Sequence, residues 1–364
     1  MKPYQVHMFS DNKKTPEALP PEPVFIYENK RYLNFVPFDC FHLKNNDALR
    51  NTALRSIENN GIAAKGGRIE VLEDLQQAMT TTKKFESYIF FPDDFSVMFS
   101  AFSLFGAKTT IFIDYETSPA LSAVLQHRNI EYYDHKDLDQ LGALLGARSD
   151  KVLVIDGIYE WLGKIGPVSD LLKLAQTHEC LVVANEMNSF GLLGREGRGF
   201  IDFFNCYDAV NLEIGSFGNY LGGFGCYIGA NKFLINNIKE NTVQYRKALP
   251  EYMLAVNREA LNFLHASKKN IFQKLWQNSR YVVTRLRQLD FSTAGDTPIV
   301  VVIFSNDEEA EEFTKRLLAN RIIVDQNKER VRLCISIEHT KEDLDQCLSY
   351  FESIGEDLGT IKSR

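Results

Sequence analysis

From residue 85 to residue 230 the chain alternates short β-branched or aromatic runs with stretches of helical spacing, and that rhythm leaves few folds open. The runs are Ser87 to Phe91, Thr109 to Asp114, Glu131 to Tyr133, Lys151 to Asp156, Leu181 to Ala184, Ala209 to Leu212 and Gly225 to Ile228. Ahead of Leu181, Leu171, Leu172 and Leu174 follow a proline turn at helical spacing, as a crossover helix requires. Strand and helix in such succession predict an α/β fold whose mostly parallel central sheet carries helices on both faces.

After Lys232 the pattern changes. A helical region from about Pro250 to Leu289 leads to a run at Ile299 to Phe304, an acid-fronted helix at Asp307 to Ala319, a strand at Arg332 to Ile337 and a helix at Lys341 to Ile354. That order predicts a small C-terminal α+β domain. Residues 9 to 24 are polar and proline-bearing and read as a loose lead. The expected organisation is a lead over 1–24, an N-terminal segment over 25–60, a large α/β domain over 61–249, and a linking helix with the small domain over 250–364.

A formal net charge of -7 offers no basic field for a phosphate backbone or an anionic membrane surface, so nucleic acid is excluded as a partner. The six cysteines are scattered without a CxxC pair, which suits a reducing compartment and argues against a metal site. The first residues lack the pattern of a signal peptide, and the most apolar stretch, Phe95 to Phe105, falls short of the ~20 residues a bilayer needs. No transmembrane segment is expected, and the cytoplasm is the expected location.

Five motifs stand in a telling order. They are YLNFVPFDCF (Tyr32 to Phe41), GIAAKGGR (Gly61 to Arg68), VIDGIYEWLGKIGPVSDLLKLA (Val154 to Ala175), NEMNSFGLLGREGRG (Asn185 to Gly199) and SFGNYLGGFGCYIG (Ser216 to Gly229). A sixth, VRLCISIEHTKEDLD (Val331 to Asp345), follows in the small lobe. In this order they resemble the α-oxoamine synthases, the family of 8-amino-7-oxononanoate synthase, 2-amino-3-ketobutyrate CoA ligase and serine palmitoyltransferase. The resemblance implies a fold-type I pyridoxal-phosphate transferase, with residues 25–60 contributing to the small lobe and to dimer contacts.

The resemblance also implies which residues should hold the cofactor, and several differ. Asn219 stands at the position of the Schiff-base lysine, and an amide is not a nucleophile. Asn185 replaces the carboxylate that holds the pyridine nitrogen, while Asn188 and Ser118 stand at the two histidine positions. Ser216 is retained. At the phosphate turn the chain reads FFPDDFSVMFSAF, placing Asp93 and Asp94 where an anion would dock. At ~4 Å and an effective dielectric near 20 each like-charged pair costs about 4 kcal/mol. A micromolar ligand gains roughly 8 kcal/mol in all. The bland alternative is that both aspartates cap the helix that follows.

YRKALP (Tyr245 to Pro250) puts Arg246 and Lys247 where the family's cross-dimer phosphate contact lies, so one of these cations is expected to meet Asp93 or Asp94 across a subunit interface. Arg332 falls at the family's arginine for the substrate carboxylate, with a surface arginine on an edge strand as the alternative. Two loops look trimmed, at RIEVLEDL (Arg68 to Leu75) and DQNKERVR (Asp325 to Arg332). Taken together, these departures lead to the expectation of a non-catalytic chain with no cofactor and no catalytic residues. It would act as a homodimer, or as a heterodimer with a lysine-bearing paralogue. The alternatives are an active pyridoxal-phosphate acyltransferase with a relocated lysine, Lys164 or Lys232, and a cofactor-free binder of small molecules anchored by Arg332.

Overall fold

The computed structural model describes residue 20 and residues 22–62, 69–266, 269–295 and 297–362. Most of the expected lead and much of the GIAAKGGR turn lie outside the described residues. The chain forms two compact units. One comprises residues 1–42, 161–164 and 269–364, and the other residues 43–160 and 165–268. The divisions therefore fall near 42 and 268, where the sequence suggested 60 and 249. The expected long helical region is two helices, one in each unit.

In the smaller unit, strands β1 (Val24–Tyr27) and β2 (Lys30–Asn34) form an antiparallel hairpin. In the larger unit, helices α1 (Asp47–Asn60) and α2 (Ile69–Lys83) precede strand β3 (Ser87–Phe91), helix α3 (Asp94–Phe102), strand β4 (Thr110–Asp114) and helix α4 (Pro119–Leu125). Strand β5 (Ile130–Tyr133), helix α5 (Leu138–Gly146) and strand β6 (Lys151–Asp156) follow, then the two-residue strands β7 (Ile158–Tyr159) and β8 (Lys164–Ile165). Helix α6 (Val168–Thr177) leads to strand β9 (Leu181–Asn185), a short helix α7 (Phe200–Phe203), strands β10 (Leu212–Ser216) and β11 (Cys226–Ala230), and helices α8 (Lys232–Thr242) and α9 (Glu251–Ala266).

Seven of these strands make one sheet in the order β3-β11-β10-β9-β6-β4-β5. Only β11 runs against the rest. Every residue of β4 is buried, as expected of a central parallel strand covered on both faces. On one face Ile111, Ile113, Val152, Val154, Leu212 and Ile214 share a core with Val97 and Met98 of α3 and Leu121 of α4. Strand β10 begins three residues later than the run Ala209 to Leu212 suggested, because residues 207–209 form a 3-10 turn. From β4 the chain goes to β5 on one side and then to β6 on the other, a reversal of strand order whose carboxyl ends are a natural place for a ligand.

The smaller unit also holds helix α10 (Lys269–Gln288), strands β12 (Ser292–Ala294) and β13 (Ile299–Ile303), helix α11 (Asp307–Ala319), strands β14 (Ile322–Ile323), β15 (Asp325–Asn327) and β16 (Arg330–Cys334), and helix α12 (Lys341–Leu358). Its four-stranded sheet has the order β12-β13-β16-β15. The segment read as a trimmed loop is thus the hairpin β15–β16, turned at Lys328 with φ 52. Likewise RIEVLEDL enters α2 directly, which begins at Ile69. Thr340 and Asp343 close a capping box at the start of α12, matching the T-x-x-D spacing in the sequence.

Candidate active site

The carboxyl ends of β4, β6 and β9 bring together Asp114, Asp156 and Asn185, the last residue of each strand. Asp156 is buried and accepts hydrogen bonds from Thr117 Oγ1 at 2.6 Å and from Asn185 Nδ2 at 2.6 Å. Asp114 accepts from Tyr159 Oη at 3.1 Å and from the backbone N–H of Glu116 at 2.8 Å, and His135 Nδ1 lies 3.1 Å from its Oδ2. The His135 and Tyr159 rings stack at 4.7 Å. Burial above all, with repulsion from Asp114 added, pushes Asp156 up to about 7 against the pull of its bonds to Thr117 and Asn185. Neither aspartate nor His135 was singled out from the sequence. A signal existed, since the apolar runs TIFID and KVLVID both end in aspartate.

The asparagines form a clasp around the backbone of one residue, Met187. Asn185 Oδ1 accepts from the N–H of Met187 at 3.2 Å, and Asn219 Nδ2 donates to the carbonyl of Met187 at 2.8 Å. Asn188 is buried in the same turn. Ser216 is buried, its Oγ accepting from the N–H of Gly218 at 3.1 Å. Ser118 is half-buried at the start of α4 and makes no side-chain capping bond. Asn185 and Asn219 therefore satisfy their amides inside the chain.

In the turn expected from the sequence to face a phosphate, Asp93 is the N-cap of α3, accepting from the backbone N–H of Ser96 at 2.7 Å and from its hydroxyl at 2.9 Å. Asp94 accepts from the Cys226 thiol at 3.0 Å. Both aspartates are exposed, and among the described residues neither forms an ion pair within the chain. Lys247 is exposed and Arg246 half-buried, the latter with its pKa lowered by burial. Of the alternative lysines, Lys164 is exposed. Lys232 follows β11, which runs from Cys226, opposite Ser216 and Phe91, to Ala230, opposite Leu212 and Ser87. At about 3.4 Å per residue that strand carries Lys232 to the far edge of the sheet from Asn219.

Arg332 is buried on an inner strand, which corrects the reading of an edge arginine. Its guanidinium lies between the rings of Phe38, at 4.5 Å, and Trp161, at 4.2 Å, and is bonded to Asp325 at 2.5 Å. Such a planar, stacked cation is built to bind a carboxylate, and here the chain supplies one.

Residues 38–351 match the family described as aminotransferase class I and II. The chain belongs to that family. The 8-amino-7-oxononanoate synthase of Petrotoga mobilis is 30% identical, covering 91% of this chain and 90% of its own. The same-named synthase of Thermoanaerobacter pseudethanolicus is 28% identical over 94% of this chain and 92% of its own. Among solved structures, Sphingomonas wittichii serine palmitoyltransferase superposes with a TM-score of 0.86 at 19% identity, covering 95% of this chain and 92% of its own. A serine palmitoyltransferase with PLP internal aldimine gives 0.84 at 20% identity, with 92% and 90% covered. A lysine-to-alanine variant of the enzyme from S. paucimobilis with bound PLP-myriocin aldimine gives 0.86 at 20%, with 95% and 92% covered. The α-oxoamine synthase resemblance and the fold-type I architecture hold.

These findings correct two expectations, those of a non-catalytic chain and of a chain without cofactor. Its relatives are named synthases, and the family is one of pyridoxal-phosphate-dependent acyltransferase-type enzymes. The expectation weighed a handful of contacts and set aside the rest of a fold that matches from end to end. The local chemistry still differs from a cofactor bonded at position 219. Asn219 has no amine, Asn185 presents an amide, and the start of α3 presents carboxylates, so these residues do not fit that mode of attachment.

The Asp156 environment predicts a pH response. Its folded-state pKa of about 7 lies above the ordinary 3.8, so its contribution to stability is present below pH 3.8 and lost as the pH rises through 7. The thermal midpoint should fall over that window, and Asp156→Asn should remove a part of the fall worth at most roughly 4 kcal/mol. An unchanged slope in calorimetry of the variant would show that Asp156 titrates as an ordinary carboxylate.

Proposed function

We propose that this chain is an acyltransferase of the α-oxoamine synthase type, joining an acyl thioester to an amino acid with pyridoxal phosphate as cofactor. The observation that carries the reading is the likeness to named synthases along nearly the whole chain at up to 30% identity. Asn219 offers no amine, so any cofactor held here would have no bond to position 219; a serine palmitoyltransferase lysine-to-alanine variant is solved with bound PLP-myriocin aldimine. The chain's own contribution is orientation. Within the smaller unit Arg332 would exchange Asp325 for a substrate carboxylate, and within the larger unit, taken by itself, the Asp156–Asn185 pair would supply polar contacts at the sheet's carboxyl edge. The cytoplasm is the proposed compartment, consistent with six free cysteines and with the lack of any membrane-spanning helix among the described residues.

The reading predicts release of free CoA when the chain meets acyl-CoA, an amino acid and pyridoxal phosphate together, and none when any one is withheld. A thiol-reactive dye follows it across a panel of acyl-CoA thioesters and L-amino acids. Asn219→Lys should yield a yellow protein whose cofactor borohydride fixes at position 219. A wild-type chain that releases no thiol from any pair, beside an Asn219→Lys chain that does, would refute the proposal.

The working unit is proposed to be a homodimer. Phe95, Phe99 and Tyr245 are 62%, 45% and 48% exposed, and the Phe99 ring meets Phe95 at 5.8 Å and Tyr245 at 5.5 Å. Acidic Asp93 and Asp94 and basic Arg246 and Lys247 flank these rings in sequence. Two copies related by a two-fold axis set Arg246 or Lys247 against Asp93 or Asp94 of the partner subunit. Sedimentation of D93K/D94K and of R246E/K247E should show each as a monomer and their mixture as a dimer. Dimers of both variants alone would exclude this pairing.

A further inference from the structure

On the face of the large sheet turned away from Ser216 lies a charged group that the acyl-transfer reading does not use. Glu213 alternates with Leu212 and Ile214 along β10 and so points to the opposite side. Lys83, the last residue of α2, carries its Nζ to 2.8 Å from Glu186 Oε1, 3.1 Å from Glu213 Oε2 and 2.6 Å from the carbonyl of Arg198. The side chains of Lys83, Glu186 and Glu213 have 0% exposure. Two carboxylates thus face one ammonium, and the trio holds a surplus negative charge unless one carboxyl keeps a proton.

Glu186 has many partners. Besides Lys83 it accepts from Ser189 Oγ and from the backbone N–H groups of Phe200, at 2.9 Å, and Ile201, at 3.1 Å. Gly199 has φ 96, and a Cβ there would fall 2.2 Å from Glu186 Oε2. The glycine loop is therefore moulded onto this carboxylate, and Lys83 ties both to the end of α2. Glu186 is also the first residue of the turn whose next member, Met187, is clasped by Asn185 and Asn219.

Glu213 has fewer partners than Glu186: the Lys83 ammonium at 3.1 Å and the Tyr88 hydroxyl beside it. The groups that face the trio are Tyr88 from β3, Tyr227 from β11, and Cys206 and Tyr207 from the segment after α7, with Asp202 beyond Tyr207. Burial foremost, and Glu186 beside it, push Glu213 up to about 7 against the pull of Lys83. Replacing buried ionic groups by apolar ones of similar volume is often neutral or stabilising, so stability alone does not account for this charge.

We propose that Lys83 and Glu213 are positioning residues: a buried, ion-paired clasp that acts through Glu186 to hold the 185–201 turn and loop, and with them the asparagine-lined site, in place. The clasp does not depend on the acyl-transfer reading, and no cofactor enters its test. Its pH sense follows from Glu213, whose contribution is fully present below 4.5 and lost as the pH rises through about 7. The loop opens more readily at pH 8 than at pH 6.

Hydrogen exchange followed by mass spectrometry on the full chain tests this. After correction for intrinsic rates, peptides within 186–201 should exchange several-fold to about tenfold faster at pH 8 than at pH 6. Glu213→Gln should remove that difference and keep slow exchange at both. Lys83→Met should speed the same peptides about tenfold or more while β4 and β6 stay protected. A Glu213→Gln chain that keeps the wild-type pH difference overturns the proposal, as does a Lys83→Met chain in which 186–201 is unchanged or opens only together with β4 and β6. Should Lys83→Met fail to fold, the Glu213→Gln comparison decides alone.

Discussion

A carboxylate shut away from water must find its partners inside the chain, and the way Glu186 does so shapes everything around it. Its oxygens take the ammonium of Lys83, the hydroxyl of Ser189 and the N–H groups of Phe200 and Ile201. An unpaired charge at that depth would cost several kcal/mol, so helix, strand end and glycine loop are held to one arrangement. Gly199 is required because no side chain fits between that carboxylate and the loop. The conformation of the Asn185–Ser189 turn is fixed from beneath by charge and from above by amide hydrogen bonds.

That double hold bears on what the site can do. At the sheet's carboxyl edge the chain has amides where its relatives' chemistry would lead one to look for an amine and a carboxylate. The carboxylates are one contact away instead, at Asp156 behind Asn185. Asn185 cannot supply a formal charge, yet it touches a carboxyl that burial pushes up to about 7. The same displacement recurs at the start of α3, where Asp93 and Asp94 turn their carboxylates to the helix N-terminus and to the Cys226 thiol. Asn185, Asn219, Asp93 and Asp94 are all bonded within the chain, while the likeness to named synthases rests on nearly the whole of its length.

Much of the fold was legible in the chain itself. The runs Ser87 to Phe91 and Lys151 to Asp156 and the helix Val168 to Thr177 stand where the apolar pattern placed them, because buried parallel strands and crossover helices need the periodicities that sequence displays directly. Strand β10 was misplaced because a 3-10 turn ends on Ala209, the first residue of its run, and the strand starts only at Leu212. Strand β15 was read as part of a loop because its residues, Asp325 to Asn327, are polar, and it forms a strand only by pairing with β16. The motif order also sufficed to identify the family, since glycines and their spacing reflect backbone turns that tolerate no substitute.

What sequence determined alone was therefore whatever depends on local spacing: the alternation, the helix caps, the glycine loop and the identity of residue 219. Only the tertiary structure decided which charges meet. Lys83, Glu186 and Glu213 are separated by up to 130 residues in the chain, and their pairing exists only because the sheet sets β9 beside β10 and the end of α2 beneath both. Arg332 likewise became a buried cation between two rings only when β15 and β16 paired and brought Asp325 to it. Electrostatic partners are chosen by distance in space, and no periodicity along a chain records that distance.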